Sequence, residues 1–451
     1  MAGYLVYFNV KLKDDILQSP YNKRQDAMTA YVTRGAIISR DNNVLAFTET
    51  DELGQENRVY PYGAKYAHVV GYTARGKSGL EAVANYHLLT SNNDIVEHVM
   101  NDFLDKKNPG DNVITTLDSR LQDACYDALG DYRGAVLCMD PKTGQILSWV
   151  SDPDFDPNTI DQVWDEMVAD ETNSQLVNRG SQGRYSPGSV FKIVTALAYM
   201  RTHPDTSSFL FECQGEFTVE DQTVHCSHGN VHGLETFEEA FANSCNCAFA
   251  YMGLELGPEI IRETAESLLF NKKLPCDLNY NQSTFKLDSS SDTMALIQTA
   301  FGQGQTLASP YHMMLLTAAI ANGGTLMKPH LVQAIYSADG REVKTYAPEV
   351  STQLMTAEEA AKLKSMMMQV CDTGTASSLS DRGYDVAGKT GSAEFVRGDG
   401  SIGTHSWFTA ILEPEDPKLI VTFLAEDGGL SSDTAVPAVG YIMDVYESIQ
   451  G

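Results

Sequence analysis

The sequence predicts an α+β fold: a large domain whose one sheet is gathered from both ends of the domain around a helical block, preceded by a smaller β-rich domain. Three observations carry this. Strand-like runs occur at Ala135 to Met139 and Ile146 to Val150, and again between Val386 and Leu424. The intervening stretch from Tyr185 to Met368 is mostly helical in pattern, with loops. Ahead of all of these, Asp105 to Asp111 (DKKNPGD) is a polar break containing Pro and Gly, which sets the domain boundary at 111/112.

From the N-terminus, Met1 to Val10 (MAGYLVYFNV) is nearly all apolar. It is too short to cross a bilayer, which takes about twenty residues, and it lacks the basic leader of a signal peptide. Residues 1–10 read as the outer end of a membrane anchor, with a buried strand or helix end as the alternative. Residues 11–111 mix short strands and polar turns. Arg34 to Asp41 reads as a strand ending in the turn Asp41-Asn42-Asn43, and Val44 to Phe47 as the returning strand. Leu80 to Leu89 reads as a helix. Residues 112–451 open with the β-rich Val113 to Leu117 and the helical Asp118 to Leu129, and close with a helix from Asp433 to Ile449.

The chain is long enough for one large core and a smaller domain. Its net charge of −28 argues against binding nucleic acid or an anionic membrane surface. No phosphate-binding loop is evident. Gly302-Gln303-Gly304 lacks the companion residues of a nucleotide motif and reads as a loop before the apolar Met313 to Ile320 segment.

Three short motifs carry the chemistry. They are Ser189-Val190-Phe191-Lys192, Ser244-Cys245-Asn246 and Lys389-Thr390-Gly391, in that order. A serine with a lysine one helical turn on, a second hydroxyl and a second lysine make an acyl-transfer set: nucleophile, base, proton relay and carboxylate holder. Each motif has a decoy. Ser283 to Lys286 repeats Ser-x-x-Lys but sits among polar residues and reads as a solvated loop. Lys142-Thr143-Gly144 lies between two strand-like runs and reads as a hairpin turn. Ser91-Asn92-Asn93 repeats Ser-x-Asn. Ser189 follows the turn Ser186-Pro187-Gly188 and enters an apolar, Ala-rich segment, as at the start of a buried helix. Lys389 enters a strand that the turn at Arg397 to Gly400 returns through Trp407 to Leu412, so it lies on a sheet edge.

The order Ser-x-x-Lys, Ser-x-Asn, Lys-Thr-Gly resembles that of penicillin-binding proteins and serine β-lactamases. The chain resembles the monofunctional (class B) penicillin-binding proteins, which are peptidoglycan D,D-transpeptidases. The resemblance implies an antiparallel sheet flanked by helices with a helical subdomain, and a small non-catalytic pedestal over residues 11–111. It implies that Ser189 attacks the D-Ala–D-Ala bond of a stem peptide, or a β-lactam, with neutral Lys192 as base. Ser244 would relay the proton and Asn246 would hold the stem peptide and orient Lys192. Lys389 and Thr390 would bind the terminal carboxylate, and Gly391 would let substrate approach the strand. The N–H groups of Ser189 and Ser392 would form the oxyanion hole, on the order of 3 kcal/mol each. The family often has Thr where Ser392 stands. Catalysis would need no cofactor. The resemblance also implies a single N-terminal membrane anchor, an extracytoplasmic catalytic domain and a membrane glycosyltransferase as partner. Two other readings compete: a D,D-carboxypeptidase or β-lactamase-type hydrolase, for which a pedestal is unnecessary, and a non-turnover β-lactam sensor, for which no signalling segment is visible.

The eight cysteines leave a structural question open. Cys213 and Cys226 flank a predicted hairpin, and a disulfide between them is one reading. The spacing Cys213-x12-Cys226-x5-His232-x12-Cys245 is a second, offering three thiolates and an imidazole to a structural zinc beside the Ser-x-Asn motif. Free thiols are the third. His225 and His228 are spare ligands for the zinc reading.

Overall fold

Residues 134–152 and 386–425 come together as one five-stranded antiparallel sheet in the computed structural model, which describes residues 23–170 and 172–450. The strand order is Val386–Val396, Ile402–Leu412, Leu419–Ala425, Gly134–Met139, Ile146–Asp152. Every residue of Leu419–Ala425 and of Gly134–Met139 is buried. A strand that is buried on both faces must be covered on both. The wholly buried helix Pro310–Ala321 and the C-terminal helix Ala435–Gln450 both pack on the central strands. Thr317 hydrogen-bonds Thr409, which in turn bonds Thr422, so the hydroxyls buried under the first helix satisfy one another. Ser119–Leu129 packs against the C-terminal helix, and Asp118 caps it by accepting from the N–H groups of Arg120 and Leu121.

The helical block sits beside the edge strand Val386–Val396. It contains Lys192–Thr202, Phe237–Ala242, Asn246–Ser267, Thr293–Ala300 and Ala357–Asp372. Thr236 with Glu239, and Thr356 with Glu359, form capping boxes that fix where two of these helices begin.

The N-terminal domain differs in detail from expectation. Ile37–Ile38 and Val44–Thr50 form the expected strand pair, but Leu80 to Leu89 is two short helices, Gly79–Val83 and Asn85–Leu88. The sheet to which the pair belongs crosses the 111/112 boundary. Its order is Glu342–Thr345, Val332–Tyr336, Asn112–Thr115, Ile37–Ile38, Val44–Thr50, Glu56–Val59. Two of its strands therefore come from far along the chain and tie the domains together, a pairing that no local pattern announces. Buried Glu81 receives both Arg34 and Arg58 and anchors this domain's polar interior. The segment read as the end of a membrane anchor, residues 1–10, lies outside the described residues. Among those described, no helix is long and apolar enough to cross a membrane.

Candidate active site

The nucleophile turn forms by close backbone approach. Gly188, at φ 54°, turns the chain into the 3-10 segment Gly188–Phe191, and the α-helix Lys192–Thr202 continues it. Ser189 is half-buried and Lys192 fully buried. Lys192 Nζ lies 2.9 Å from Ser189 Oγ, 2.7 Å from the Ser244 carbonyl oxygen, 3.1 Å from Ser244 Oγ and 2.7 Å from Asn246 Oδ1.

Ser244 occupies the gap between two helices. Phe237–Ala242 ends before it, and Cys245 caps Asn246–Ser267 by accepting at its sulfur from the Ala248 N–H. Ser244 itself has φ 56°, a left-handed conformation that costs energy for a residue with a Cβ. That conformation aims both its carbonyl and its hydroxyl at Lys192. Lys389, fully buried on the edge strand, donates to Ser244 Oγ at 3.0 Å. Ser244 Oγ thus bridges the two lysines.

Burial pushes the Lys192 amine down to about 8, while nearby Cys245, Cys226, Cys247 and Glu235 oppose the shift. Burial also pushes Lys389 well below its ordinary value, and the charge of Lys192 pushes in the same direction. Both amines touch Ser244 Oγ, so they are at most about 6 Å apart, and two ammonium groups that close repel by about 3 kcal/mol or more at an effective dielectric of about 20, so the pair favours one shared charge. Burial lowers Lys389 further than Lys192, but the hydrogen-bond contacts suit Lys192 as the neutral member. A neutral amine has two N–H groups, and the Ser244 carbonyl and Asn246 Oδ1, which can only accept, take both. Its lone pair is left facing the Ser189 hydroxyl.

The remaining motif residues line the same edge. Thr390 Oγ1 is 2.6 Å from Thr375 Oγ1. Ser392 Oγ is 2.9 Å from Ser431 Oγ and accepts from the Ser431 N–H at 3.2 Å. The space beside the Gly391 Cα is filled by protein: an added Cβ would lie 2.9 Å from the Pro187 carbonyl oxygen and from Val190. Gly391 thus brings the strand against the Ser189 turn, where the sequence reading had substrate.

The decoys separate cleanly. Lys142 tips the turn between Gly134–Met139 and Ile146–Asp152 and pairs with Asp416 at the surface. Ser283 is fully buried, which corrects its reading as solvated. Its hydroxyl accepts from the Ser309 N–H at 3.3 Å, and Lys286 is exposed.

Several neighbours escaped the sequence reading. Thr375 sits in the polar turn after Ala357–Asp372, and Ser431 in the loop after Leu419–Ala425. Neither position had a signal beyond turn composition. Gly302 and Gln303 carry only a loop signal in the sequence. Yet a Cβ on Gly302 would lie 1.7 Å from the Gly188 carbonyl oxygen, and the Gly302 carbonyl accepts from Ser186 Oγ at 3.1 Å. Gln303 Nε2 reaches to 3.5 Å from the Ser392 carbonyl oxygen. This loop buttresses the nucleophile.

Cys213, Cys226, His232 and Cys245 converge with all ligand atoms within 4.8 Å of one another. Tetrahedral zinc bonded at about 2.3 Å to sulfur and about 2.05 Å to nitrogen separates two sulfurs by about 3.8 Å and a sulfur from a nitrogen by about 3.6 Å. The observed separations are 3.7 Å for Cys213–Cys226, 3.8 Å for Cys226–Cys245 and 3.4 Å for Cys213 to His232 Nδ1. The donor set fits zinc. None of the cysteines is in a disulfide. Glu235 Oε2, buried and without a hydrogen bond, lies 3.8 Å from His232 Nδ1. Thiol hydrogen bonds from Cys245 and Cys247 hold Cys226 low, as a thiolate, and Cys226 and Cys213 raise His232 to about 9. His225, a spare ligand in the sequence reading, is exposed and outside the cluster, as is exposed His228. Cys247, which that reading omitted, lies 3.5 Å from Cys226. The hairpin carrying Cys226 also reaches the catalytic set: the His225 carbonyl accepts from Asn246 Nδ2 at 3.0 Å.

Comparison with known proteins agrees with this geometry. A family model described as the penicillin binding protein transpeptidase domain matches residues 134–444, and one described as the penicillin binding protein A dimerisation domain matches residues 34–113. The chain is 30% identical over 442 residues to peptidoglycan D,D-transpeptidase PbpA of Mycolicibacterium smegmatis, covering 92% of this chain and 88% of the relative. The crystal structure of the D,D-transpeptidase domain of a peptidoglycan glycosyltransferase from Eggerthella lenta superposes with a TM-score of 0.83 at 30% identity, covering 94% of this chain and 100% of that one. Penicillin-binding protein A of M. tuberculosis, solved as a ceftriaxone acyl-enzyme, superposes with a TM-score of 0.83 at 26% identity, covering 93% and 99%.

Proposed function

The chain belongs to the penicillin-binding protein transpeptidase family, and we propose from that premise that it is a peptidoglycan D,D-transpeptidase working through a Ser189 acyl-enzyme. The observation that carries the reading is the placement of Lys192 Nζ, 2.9 Å from Ser189 Oγ with both its N–H groups directed at oxygen acceptors.

The chemistry follows from the contacts. The carboxylate of a stem peptide ending in D-Ala–D-Ala enters beside Lys389, Thr390 and Thr375, and holds the shared proton on Lys389. Lys192 is then neutral and takes the proton from Ser189 Oγ as that oxygen bonds the penultimate carbonyl carbon. The N–H groups of Ser189 and Ser392 stabilise the oxyanion. Ser244 Oγ, between the two lysines, passes a proton to the leaving nitrogen, and the C–N bond breaks to release D-Ala. An amine from a second stem then displaces Ser189 and forms the cross-link. A β-lactam follows the first half, its ring nitrogen remaining attached to the acyl group. No cofactor takes part in these steps.

Four further readings belong with this function. Residues 11–111 form the non-catalytic pedestal. A single N-terminal membrane anchor would place the catalytic domain on the extracytoplasmic side of the membrane. A membrane glycosyltransferase supplies the glycan strands that are cross-linked. Cys213, Cys226, His232 and Cys245 hold a structural zinc, which would fix the hairpin that supports Asn246 through the His225 carbonyl.

The test is intact-mass measurement after exposure to penicillin. One acyl group should appear, map to Ser189 and vanish in Ser189→Ala. Label on Ser283, or undiminished label in Ser189→Ala, would reject the assignment. With donor and acceptor stem peptides, a cross-linked product is expected. Hydrolysis alone would favour a carboxypeptidase.

A further inference from the structure

The segment that leads into the nucleophile turn is fastened to the sheet through one carboxylate. Glu426 directly follows the strand Leu419–Ala425. Its Oε1 accepts from the Tyr185 hydroxyl at 2.7 Å and from Arg179 Nε at 2.8 Å, and its Oε2 lies 3.2 Å from Arg133 Nε. The Arg179 side chain is only 4% exposed, and a guanidinium buried to that degree needs its charge met. Its other nitrogens donate to the carbonyls of Ser174 and Asn173 at 3.3 Å and 2.9 Å. The Arg133 carbonyl accepts from the Glu426 N–H at 2.7 Å. Both arginines and the backbone thus fix the carboxylate, and the carboxylate fixes the Tyr185 hydroxyl.

The rest of Tyr185 is held as firmly. Its backbone exchanges two hydrogen bonds with Ala308, at 2.9 Å and 2.8 Å. Its ring stands edge-on to His405 and Trp407, with centroids 5.4 Å and 6.1 Å away. Burial raises its hydroxyl well above the ordinary value and the Glu426 charge pushes the same way, so it stays a donor. The chain then runs Ser186-Pro187-Gly188-Ser189, and Trp407 Nε1 donates to the Ser186 carbonyl at 3.1 Å.

Glu426 also opens the loop 426–431. Within it the Gly429 N–H donates to the Thr404 carbonyl at 3.0 Å. At its end the Ser431 N–H donates to Ser392 Oγ at 3.2 Å, and the two hydroxyls are 2.9 Å apart. Ser189 and Ser392 are the residues whose N–H groups face the oxyanion in the reaction proposed above. Such a pair of donors is effective only while both keep their place around one oxygen. A single carboxylate therefore touches the approach to one donor and begins the support of the other.

We propose that Glu426 and Tyr185 are positioning residues that hold the N–H groups of Ser189 and Ser392 in register for the tetrahedral intermediate. Both act through backbone: Tyr185 through the nucleophile turn, Glu426 through that turn and the loop 426–431. The proposal rests on the reading of Ser189 as the serine that is acylated.

The test uses the full chain and two probes. Fluorescent penicillin gives the acylation rate constant and the half-saturating concentration. An acylaminomethyl boronic acid gives the affinity for a tetrahedral adduct: Ser189 Oγ bonds to boron, its proton passes to Lys192, and a boronate oxygen enters the oxyanion hole. Tyr185→Phe removes one hydroxyl and leaves Glu426 with both arginines. Its rate constant should fall about tenfold, short of the roughly hundredfold cost of a 1 Å misplacement. Boronate affinity should fall by a similar factor, while the half-saturating concentration and melting temperature stay at the parent values. Glu426→Ala should lose more, because the loop loosens as well, and adding Tyr185→Phe to it should cost nothing further. The proposal is overturned if Tyr185→Phe acylates like the parent, or loses rate with boronate affinity unchanged. It is also overturned if the two losses multiply in the double variant, or if Glu426→Ala loses no more than Tyr185→Phe. Should Glu426→Ala fail to fold, the Tyr185→Phe measurements decide alone. A parent that takes no penicillin on Ser189 sinks the reading of the active site itself, whereas a parent that acylates there beside an unimpaired Tyr185→Phe sinks only the positioning role.

Discussion

Gly302→Ala offers a way to perturb the nucleophile without touching any group that reacts. Gly302 has φ 96°, and a Cβ there would lie 1.7 Å from the Gly188 carbonyl oxygen and 2.4 Å from its carbonyl carbon. Non-bonded carbon and oxygen come no closer than about 3 Å, so one of the two backbones must retreat by more than about 1 Å. Gly188 immediately precedes Ser189, whose hydroxyl is 2.9 Å from Lys192 Nζ. A shift of that size takes the pair out of hydrogen-bond range, and a misplacement of about 1 Å commonly costs on the order of a hundredfold in rate. The left-handed backbone adds strain of about 1–3 kcal/mol for Ala. The assay is the acylation rate constant at saturating fluorescent penicillin, with the melting temperature measured alongside. Gly400→Ala is the control, since φ there is 85° and a Cβ would meet open space. We expect Gly302→Ala to lose about a hundredfold in acylation and Gly400→Ala to lose almost none. If Gly302→Ala acylates within a few-fold of the parent with an unchanged melting temperature, the loop does not support the serine, and the account of the nucleophile turn fails.

Three other outcomes are expected. The Lys192 amine is held at about 8 and must be neutral to act, so acylation should rise close to tenfold per pH unit below that value and level off above it. Lys192→Arg, which cannot supply a neutral base, should lose several orders of magnitude. A flat pH profile would contradict the base role. Lys389→Ala should weaken capture of carboxylate-bearing β-lactams, read as a raised half-saturating concentration, whereas Lys142→Ala, at the surface with Asp416, should change nothing. Equal losses at both positions would mean the wrong Lys-Thr-Gly has been assigned. Protein purified without chelator should carry close to one zinc per chain by elemental analysis. Its removal, or Cys226→Ser or His232→Ala, should lower the melting temperature and slow acylation through Asn246. Negligible metal together with a Cys213–Cys226 bond in non-reducing mass analysis would replace the zinc with a disulfide.

Much of this site was legible in the chain itself. Ser189 and Lys192 are one helical turn apart, and turn chemistry ahead of an Ala-rich run places them at a helix start whatever the rest of the fold does. Lys142 and Lys389 share a tripeptide, but one stands between two short strands and the other enters a long one, so local context alone told them apart. The Cys/His spacing likewise narrowed the thiol loop to a few readings. All of these are local signals, set by backbone preference and side-chain periodicity over about ten residues.

What only the tertiary structure decided involves residues far apart in sequence. The six-stranded sheet takes Asn112–Thr115 between Ile37–Ile38 and Val332–Tyr336, and no local pattern states that a strand will pair across a domain boundary. Ser283 looked solvated by its neighbours, yet it is fully buried and accepts from the Ser309 N–H. Gly302 looked like an ordinary loop glycine until Gly188 packed against it, and Gly391 faced Pro187 and Val190 instead of a ligand. Thr375 and Ser431 gained meaning only when Thr390 and Ser392 came within hydrogen-bond distance. The sequence by itself determined the candidate residues, their spacing and their order, because short-range stereochemistry encodes that. The folded chain alone decided which backbones touch and which cysteines meet, because those contacts depend on how separate elements pack, and packing is a property of pairs that the linear order does not contain.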